Sequence, residues 1–148
     1  MTFEALDLTS GPKVDAALTN YLASCTNATD KKKFDVVFCF SVTMWVHLNH
    51  GDEGMEALFR SLGQWCSRYL VLEPQPWKCY RTASRRMRKL KLPDFEHLPR
   101  LEAQSEDQLQ DFMNNICRKN GFKQIRVFGE TENWKRRIIL YEKEEQPQ

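Results

Sequence analysis

Two segments concentrate side chains able to hold and orient a polar ligand. Ser41-Val-Thr-Met-Trp-Val-His-Leu-Asn-His50 carries His47, Asn49 and His50. Glu73-Pro-Gln-Pro-Trp-Lys-Cys-Tyr80 carries Gln75, Lys78 and Tyr80, and continues into Arg81. Together they offer imidazole, amide, phenol, ammonium and guanidinium groups, a mixed set of neutral and charged donors. Trp45 and Trp77 add faces on which a base could stack, although core packing is the plainer role for each. No Ser-His-Asp constellation is present. His47 and His50, with Asp52 close by, raise the question of zinc. A catalytic zinc site asks for three ligands spaced by a regular element, and the H-E-x-x-H pattern is missing. Glu73 reads as a carboxylate satisfied by backbone amides at a strand end rather than as a general base.

The stretch from Lys78 to Lys91, KCYRTASRRMRKLK, holds seven Lys or Arg and no acid, in a chain of 148 residues whose formal net charge is only +2. The acids gather elsewhere, at Glu102, Glu106, Asp107 and Asp111 and in the Glu-rich tail. A basic stripe on a near-neutral protein is the footprint of a local polyanion contact, here through Arg81, Arg85 and Arg86. A solvated helix face is the plain alternative.

The elements that must position these groups follow from periodicity. Thr2 to Leu8 reads as a short strand entering a loop, and Asp15 to Cys25 has helical spacing. Phe34 to Phe40 is apolar at successive positions from Val36 onward, the pattern of a strand covered on both faces inside a parallel sheet. Ser41 to Gly51 reads as a loop. Glu53 to Cys66 is an amphipathic helix with Asp52 as N-cap. Arg68 to Glu73 is a second buried strand, stopped by Pro74 and Pro76. A basic helix spans Tyr80 to Leu90. Ser105-Glu-Asp-Gln108 opens a further helix as a capping box, and Asn120-Gly121 stops it. Gln124 to Phe128 and Arg137 to Tyr141 form a closing pair of strands, and residues 144–148 a disordered tail. The whole is an α/β arrangement, with residues 1–143 in one domain. In open α/β sheets ligands bind beyond the carboxyl ends of the strands, which selects the two donor-rich segments.

S-V-T-M-W-V-H-L-N-H-G-D-E-G followed by L-V-L-E-P-Q-P-W resembles the signature of the bicoid-interacting-type RNA 5′-phosphate methyltransferases. Met44 before Trp45, His50 after Asn49 and the continuation K-C-Y-R-T-A-S-R-R-M-R-K-L are similar to the monophosphate branch of that family. The resemblance runs from about Thr2 to Tyr141. It implies a Rossmann-like class I S-adenosylmethionine methyltransferase fold of strand order 3-2-1-4-5-7-6. Within it Thr2 to Leu6 stands as strand three, Phe34 to Phe40 as four, Arg68 to Glu73 as five and the closing pair as six and seven. Strands one and two and the Gly-rich turn are not among these residues, so the fold is expected to be N-terminally truncated. The resemblance further implies Asp7, Leu8 and Phe40 as cofactor contacts. Side-chain chemistry, more than the resemblance, makes His47, Asn49, His50, Gln75 and Tyr80 the candidates around the phosphate, and Trp77, Lys78, Arg81, Arg85 and Arg86 those along RNA. The implied activity is methyl transfer from S-adenosylmethionine to an RNA 5′-monophosphate. The alternative is a non-catalytic RNA-binding fragment.

No apolar run is long enough to span a bilayer, and the N-terminus has no basic-then-apolar signal pattern. Five cysteines without a C-x-x-C pair suit reduced thiols. A cytoplasmic location is expected from the monophosphate branch, and the Arg85-Arg86 cluster keeps a nuclear one open.

Overall fold

The computed structural model describes residues 5–25, 33–134 and 136–144. The element order is α1 (Pro12–Ser24), β1 (Phe34–Phe40), α2 (Thr43–Trp65), β2 (Cys66–Glu73), α3 (Trp77–Lys89), a 3-10 turn (Leu98–Arg100), α4 (Glu106–Lys119), β3 (Phe122–Glu130) and β4 (Arg137–Lys143). The four strands form one sheet in the order β1-β2-β4-β3. β1 and β2 are parallel and joined by the crossover helix α2; the β3–β4 hairpin closes the sheet antiparallel to β2. That order is the 4-5-7-6 half of the expected topology.

Register explains the core. Val37 pairs with Leu70, which pairs with Tyr141; Cys39 pairs with Leu72, which pairs with Ile139. Each row therefore faces the same side, where Leu70, Leu72 and Tyr141 are buried against Met55, Phe59, Phe112 and Ile116 of α2 and α4. The opposite rows run Val36–Tyr69 and Phe38–Val71–Leu140, and here Phe38 remains 64% exposed and Phe40 46%. The expectation that β1 is buried on both faces is thus corrected. Among the described strands it is an edge strand, and one apolar face of it lies exposed at Phe38 and Phe40. α1 packs instead near the amino end of β1, with Val14 buried, Asp15 accepting from Trp65 Nε1 at 2.8 Å and Tyr21 stacked on Phe34.

Three further boundaries differ from expectation. Residues 5–7 have no regular structure and 8–11 form a turn, so the described part of the expected first strand is irregular; residues 1–4 lie outside the described residues, as do residues 145–148 of the tail. The expected loop from Ser41 to Gly51 is helical from Thr43. Its buried residues Thr43, Met44, His47 and Leu48 already have helical spacing. α2 then bends at Gly51, whose φ of 65° and ψ of −166° break the helical path. A Cβ at Gly51 would stand 2.9 Å from His97 Nδ1, so both conformation and space demand glycine there. Asp52 does not cap the following helix. Its two oxygens are spent on His47 and on the Glu102 amide.

α4 begins as expected, Ser105 accepting from the Gln108 amide at 3.3 Å. The reciprocal arm departs from a capping box, since Gln108 Oε1 accepts from the Gln104 amide at 2.8 Å. Glu106 and Asp107 in the first turn and Arg118 and Lys119 in the last complement the helix dipole. Gly121, at φ 74°, releases the chain into β3.

Candidate acceptor site at the carboxyl rim

The parallel strands β1 and β2 both end at one rim, and the segments following them are tied together there by Gln75. This side chain is 2% exposed. Its Oε1 accepts from the Met44 amide and Thr43 Oγ1, both at 3.3 Å, and its Nε2 donates to the Ser41 carbonyl at 2.7 Å. Gln75 therefore fastens the start of α2 to the Pro74–Pro76 segment, and its polar atoms are committed to the frame. Beside it, Ser41 takes a positive φ of 58°, donates from Oγ to Glu73 Oε2 at 2.6 Å and accepts from Arg136 Nη1. Arg136 also lies 3.6 Å from Glu73, with side chains 15% and 14% exposed. Glu73 is thus satisfied by side chains rather than by the backbone amides expected of it. Arg136, from the turn before β4, was not legible as a rim residue because its partners are distant in sequence.

A second network lies beneath the rim. His47 Nε2 meets Asp52 Oδ1 at 2.7 Å and His47 Nδ1 meets the Tyr80 hydroxyl at 3.1 Å. Its ring stacks on Phe112 at 5.1 Å and 10°. Since an ionised carboxylate only accepts, Nε2 carries the proton and Nδ1 receives the Tyr80 O–H. Burial lowers the His47 pKa below its usual value while Asp52 opposes that shift, and burial pushes the Tyr80 phenol up. His47 is 0% exposed and Tyr80 1%. The two donor-rich segments therefore do meet, but through groups that face each other inside the protein. In this geometry His47, Tyr80 and Gln75 are positioning residues. His47 joins α2 to α3 through Tyr80 and to α4 through Phe112, while Gln75 ties the start of α2 to the segment after β2.

The remaining expected contacts are spread over the surface. Asn49 is exposed and donates to the Trp45 carbonyl at 2.8 Å. His50 is exposed and lies near enough to Asp7 to help lower its carboxyl pKa, after the larger effect of two hydrogen bonds from Thr9. Leu8 is half-buried against the core, and Phe40 stands exposed at the end of β1, edge-on to Phe38. Among the described residues no group of three His, Cys, Asp or Glu side chains is arranged to hold a metal ion, and no helix is long and apolar enough to cross a membrane.

The basic helix α3 starts at Trp77, whose amide donates to Glu106 Oε2 at 2.6 Å. Its cations point two ways. Lys78 borders a cavity of ≈ 470 Å³ shared with Arg136 and Arg137. Arg81 and Arg85 line a separate groove of ≈ 480 Å³ with Trp77, Arg88 and Phe95. Arg86 borders neither. Arg88 was missed by sequence reasoning, although Trp77, Arg81, Arg85 and Arg88 share one helical stripe by spacing. Trp45, 44% exposed, tilts against Phe95 near this groove, and Trp77 stacks on Tyr80 at 5.0 Å.

Comparison with known proteins places this architecture. The chain is 36% identical over 147 residues to the pre-miRNA 5′-monophosphate methyltransferase of Xenopus laevis, covering 99% of this chain and 55% of the relative. It is 39% identical over 141 residues to the RNA 5′-monophosphate methyltransferase of Bos taurus, covering 95% and 46%. It therefore spans about half the length of these curated relatives. Among solved structures it resembles the magnesium protoporphyrin IX methyltransferase of Synechocystis with a TM-score of 0.50 at 20% identity, covering 96% of this chain and 51% of that one. The CurJ carbon methyltransferase gives a TM-score of 0.50 at 16% identity, covering 95% and 34%. These likenesses show the fold alone, a Rossmann-like methyltransferase fold. The family model for Bicoid-interacting protein 3 matches residues 34–143, and the chain belongs to that family.

Proposed function

We propose that this chain is the acceptor-side part of an S-adenosylmethionine-dependent methyltransferase that methylates the 5′-monophosphate of RNA. The observation that carries the reading is the cation cluster of Lys78, Arg136 and Arg137 beside the carboxyl ends of β1 and β2, the region where open α/β sheets bind ligands. A phosphate monoester has a second pKa near ~6, so at neutral pH its oxygens are already nucleophilic and need no strong base. What the protein must supply is orientation, worth roughly 7–11 kcal/mol when reacting groups are well aligned. The buried His47–Tyr80 and Gln75 networks serve that end by fixing the rim.

S-adenosylmethionine, when bound, supplies the electrophilic methyl group. Phe40, exposed at the end of β1, and Asp7 and Leu8, ahead of α1, are the candidates for its adenosine side. The sequence has no G-x-G turn to cradle the other flank. The isolated chain is therefore expected to bind the cofactor weakly, and calorimetry giving micromolar binding would reject that expectation. The reaction is tested by methyl transfer to 5′-monophosphorylated RNA, using this chain mixed with the N-terminal half of the Bos taurus relative. Removing the RNA 5′-phosphate should abolish transfer; unchanged transfer would exclude the acceptor.

A second reading is favoured by the groove of Trp77, Arg81, Arg85 and Arg88. Aromatic faces and a cationic stripe together suit single-stranded RNA held without sequence readout. RNA retention that weakens with salt, with no transfer in the reconstituted mixture, would favour a binding module. A cytoplasmic location is part of the proposal, and imaging of the tagged chain that shows nuclear enrichment would overturn it.

A further inference from the structure

The cavity bordered by Lys78 has a composition that a phosphate alone does not require. It lies between α4, the β3–β4 hairpin and the segment after β2, and its ≈ 470 Å³ falls in the range of small-molecule sites. Met113 and Ile139 give it an apolar floor. Gln110, Asn114 and Gln124 line it with primary amides, each of which presents donors and an acceptor together. The cations Lys78, Arg136 and Arg137 form the remaining border. Of its two carboxylates, Glu106 is committed to the Trp77 amide and to Gln110, leaving Glu130. Arg136 is also bonded to Ser41 and paired with Glu73. The cationic border is therefore the part of the cavity that adjoins the rim.

An apolar floor, amides that match hydrogen-bonding edges and a cationic border match the three parts of a nucleotide. A base can lie on the floor with its edge at the amides, leaving the 5′-phosphate at the rim. We propose that this cavity receives the 5′-terminal nucleoside of the acceptor RNA, with Gln110, Asn114 and Gln124 at the base and Lys78 and Arg136 at its phosphate. This assignment rests on the acceptor reading above and adds the part of the site that holds the first nucleoside.

Methionine methyl groups report on it directly. The chain, labelled with ¹³C-methyl methionine, is titrated with AMP, CMP, GMP and UMP, with the four nucleosides, with inorganic phosphate and with S-adenosylhomocysteine. Met44 and Met55, buried in the core, serve as internal references. The Met113 signal is expected to shift and saturate with at least one 5′-monophosphate, less with its nucleoside, while the references stay still. Asn114 lies exposed on α4, so Asn114→Trp fills the cavity and should weaken binding at least tenfold. Lys78→Ala, at an exposed position on the cavity border, should weaken the monophosphate more than the nucleoside. Both variants are checked for an unchanged Met55 signal.

A still Met113 signal into the millimolar range overturns the proposal. So does an equal response to inorganic phosphate alone, which would mean an anion site only, or to S-adenosylhomocysteine, which would mean a cofactor pocket. Undiminished binding by Asn114→Trp overturns it as well. Methyl transfer is scored separately in the reconstituted mixture. Transfer with a silent Met113 rejects the cavity alone, whereas a responsive Met113 without transfer rejects the reaction alone.

Discussion

Tyr80→Phe removes one hydroxyl from the buried His47–Tyr80 pair, and its cost can be worked from the partner it leaves. The Tyr80 hydroxyl is the hydrogen-bond partner of His47 Nδ1, at 3.1 Å. His47 has no exposed surface, so water cannot replace the missing donor without opening the core. An unsatisfied buried acceptor costs about 1–3 kcal/mol, against about 0.5–1.5 kcal/mol for the net value of an ordinary hydrogen bond. At roughly 2–4 °C per kcal/mol for a chain near this size, the midpoint of thermal unfolding should fall by about 2–12 °C. His47→Phe alone should cost more, because it leaves both the Tyr80 hydroxyl and one oxygen of Asp52 without the histidine, while the ring still stacks on Phe112. Combining the two changes removes donor and acceptor together, so the double variant should be no less stable than His47→Phe. The coupling energy from urea unfolding of the four proteins should exceed about 1 kcal/mol. Additivity within about 0.5 kcal/mol would refute the claim that the two groups satisfy one another.

Three other outcomes follow from the same geometry. Because burial holds the folded-state pKa of His47 below its unfolded value near 6.5, the unfolded chain binds the extra proton first; its stability contribution is complete above about pH 6.5 and declines as pH falls through the lower folded pKa. Urea midpoints measured across that window should show this slope in the wild type and lose it in His47→Phe. Gly51→Ala should destabilise by about 1–3 kcal/mol, since it places a Cβ at positive φ and 2.9 Å from His97 Nδ1; a thermal midpoint equal to wild type would remove the steric argument. Arg85→Ala combined with Arg88→Ala should weaken single-stranded RNA binding and reduce its salt slope by about 0.7 for each phosphate no longer neutralised, while Arg86→Ala should do less. Equal weakening by both changes would show that the groove is not the RNA path.

The parts of the fold visible in the sequence are those specified locally. Pro74 and Pro76 end β2, Ser105 caps α4 through the Gln108 amide, and Asn120-Gly121 turns the chain into β3; each is a short-range device that a reader can name. The segment from Thr43 to His50 reads as a loop because its hydrogen-bonding residues and Gly51 resemble loop chemistry. The helical spacing of Met44, His47 and Leu48 is the stronger signal. The edge position of β1 is hidden for a different reason. An apolar run shows what a strand can bury, and only the neighbouring strands decide whether it does. At the site, the meeting of His47 and Tyr80 requires knowing that both segments share a rim, while Arg136 carries no local mark at all. Chemistry assigned by residue type also fails to separate groups that touch a ligand from groups that touch each other. Gln75 and His47 belong to the second kind.

The bare side of β1 ties the back of the sheet to its front. Val36, Phe38 and Phe40 lie on that side, and Phe40 is also the last residue before Ser41 at the rim. Fully burying a side chain such as Phe38 is worth about 1.5–3 kcal/mol, so any body that covers the strand stabilises it in place. If a cover over the strand changes ligand affinity at the rim, reciprocity requires the ligand to change the affinity of the cover by the same factor. The chain from Phe38 through Phe40 to Ser41 is the shortest covalent path by which such a linkage would run.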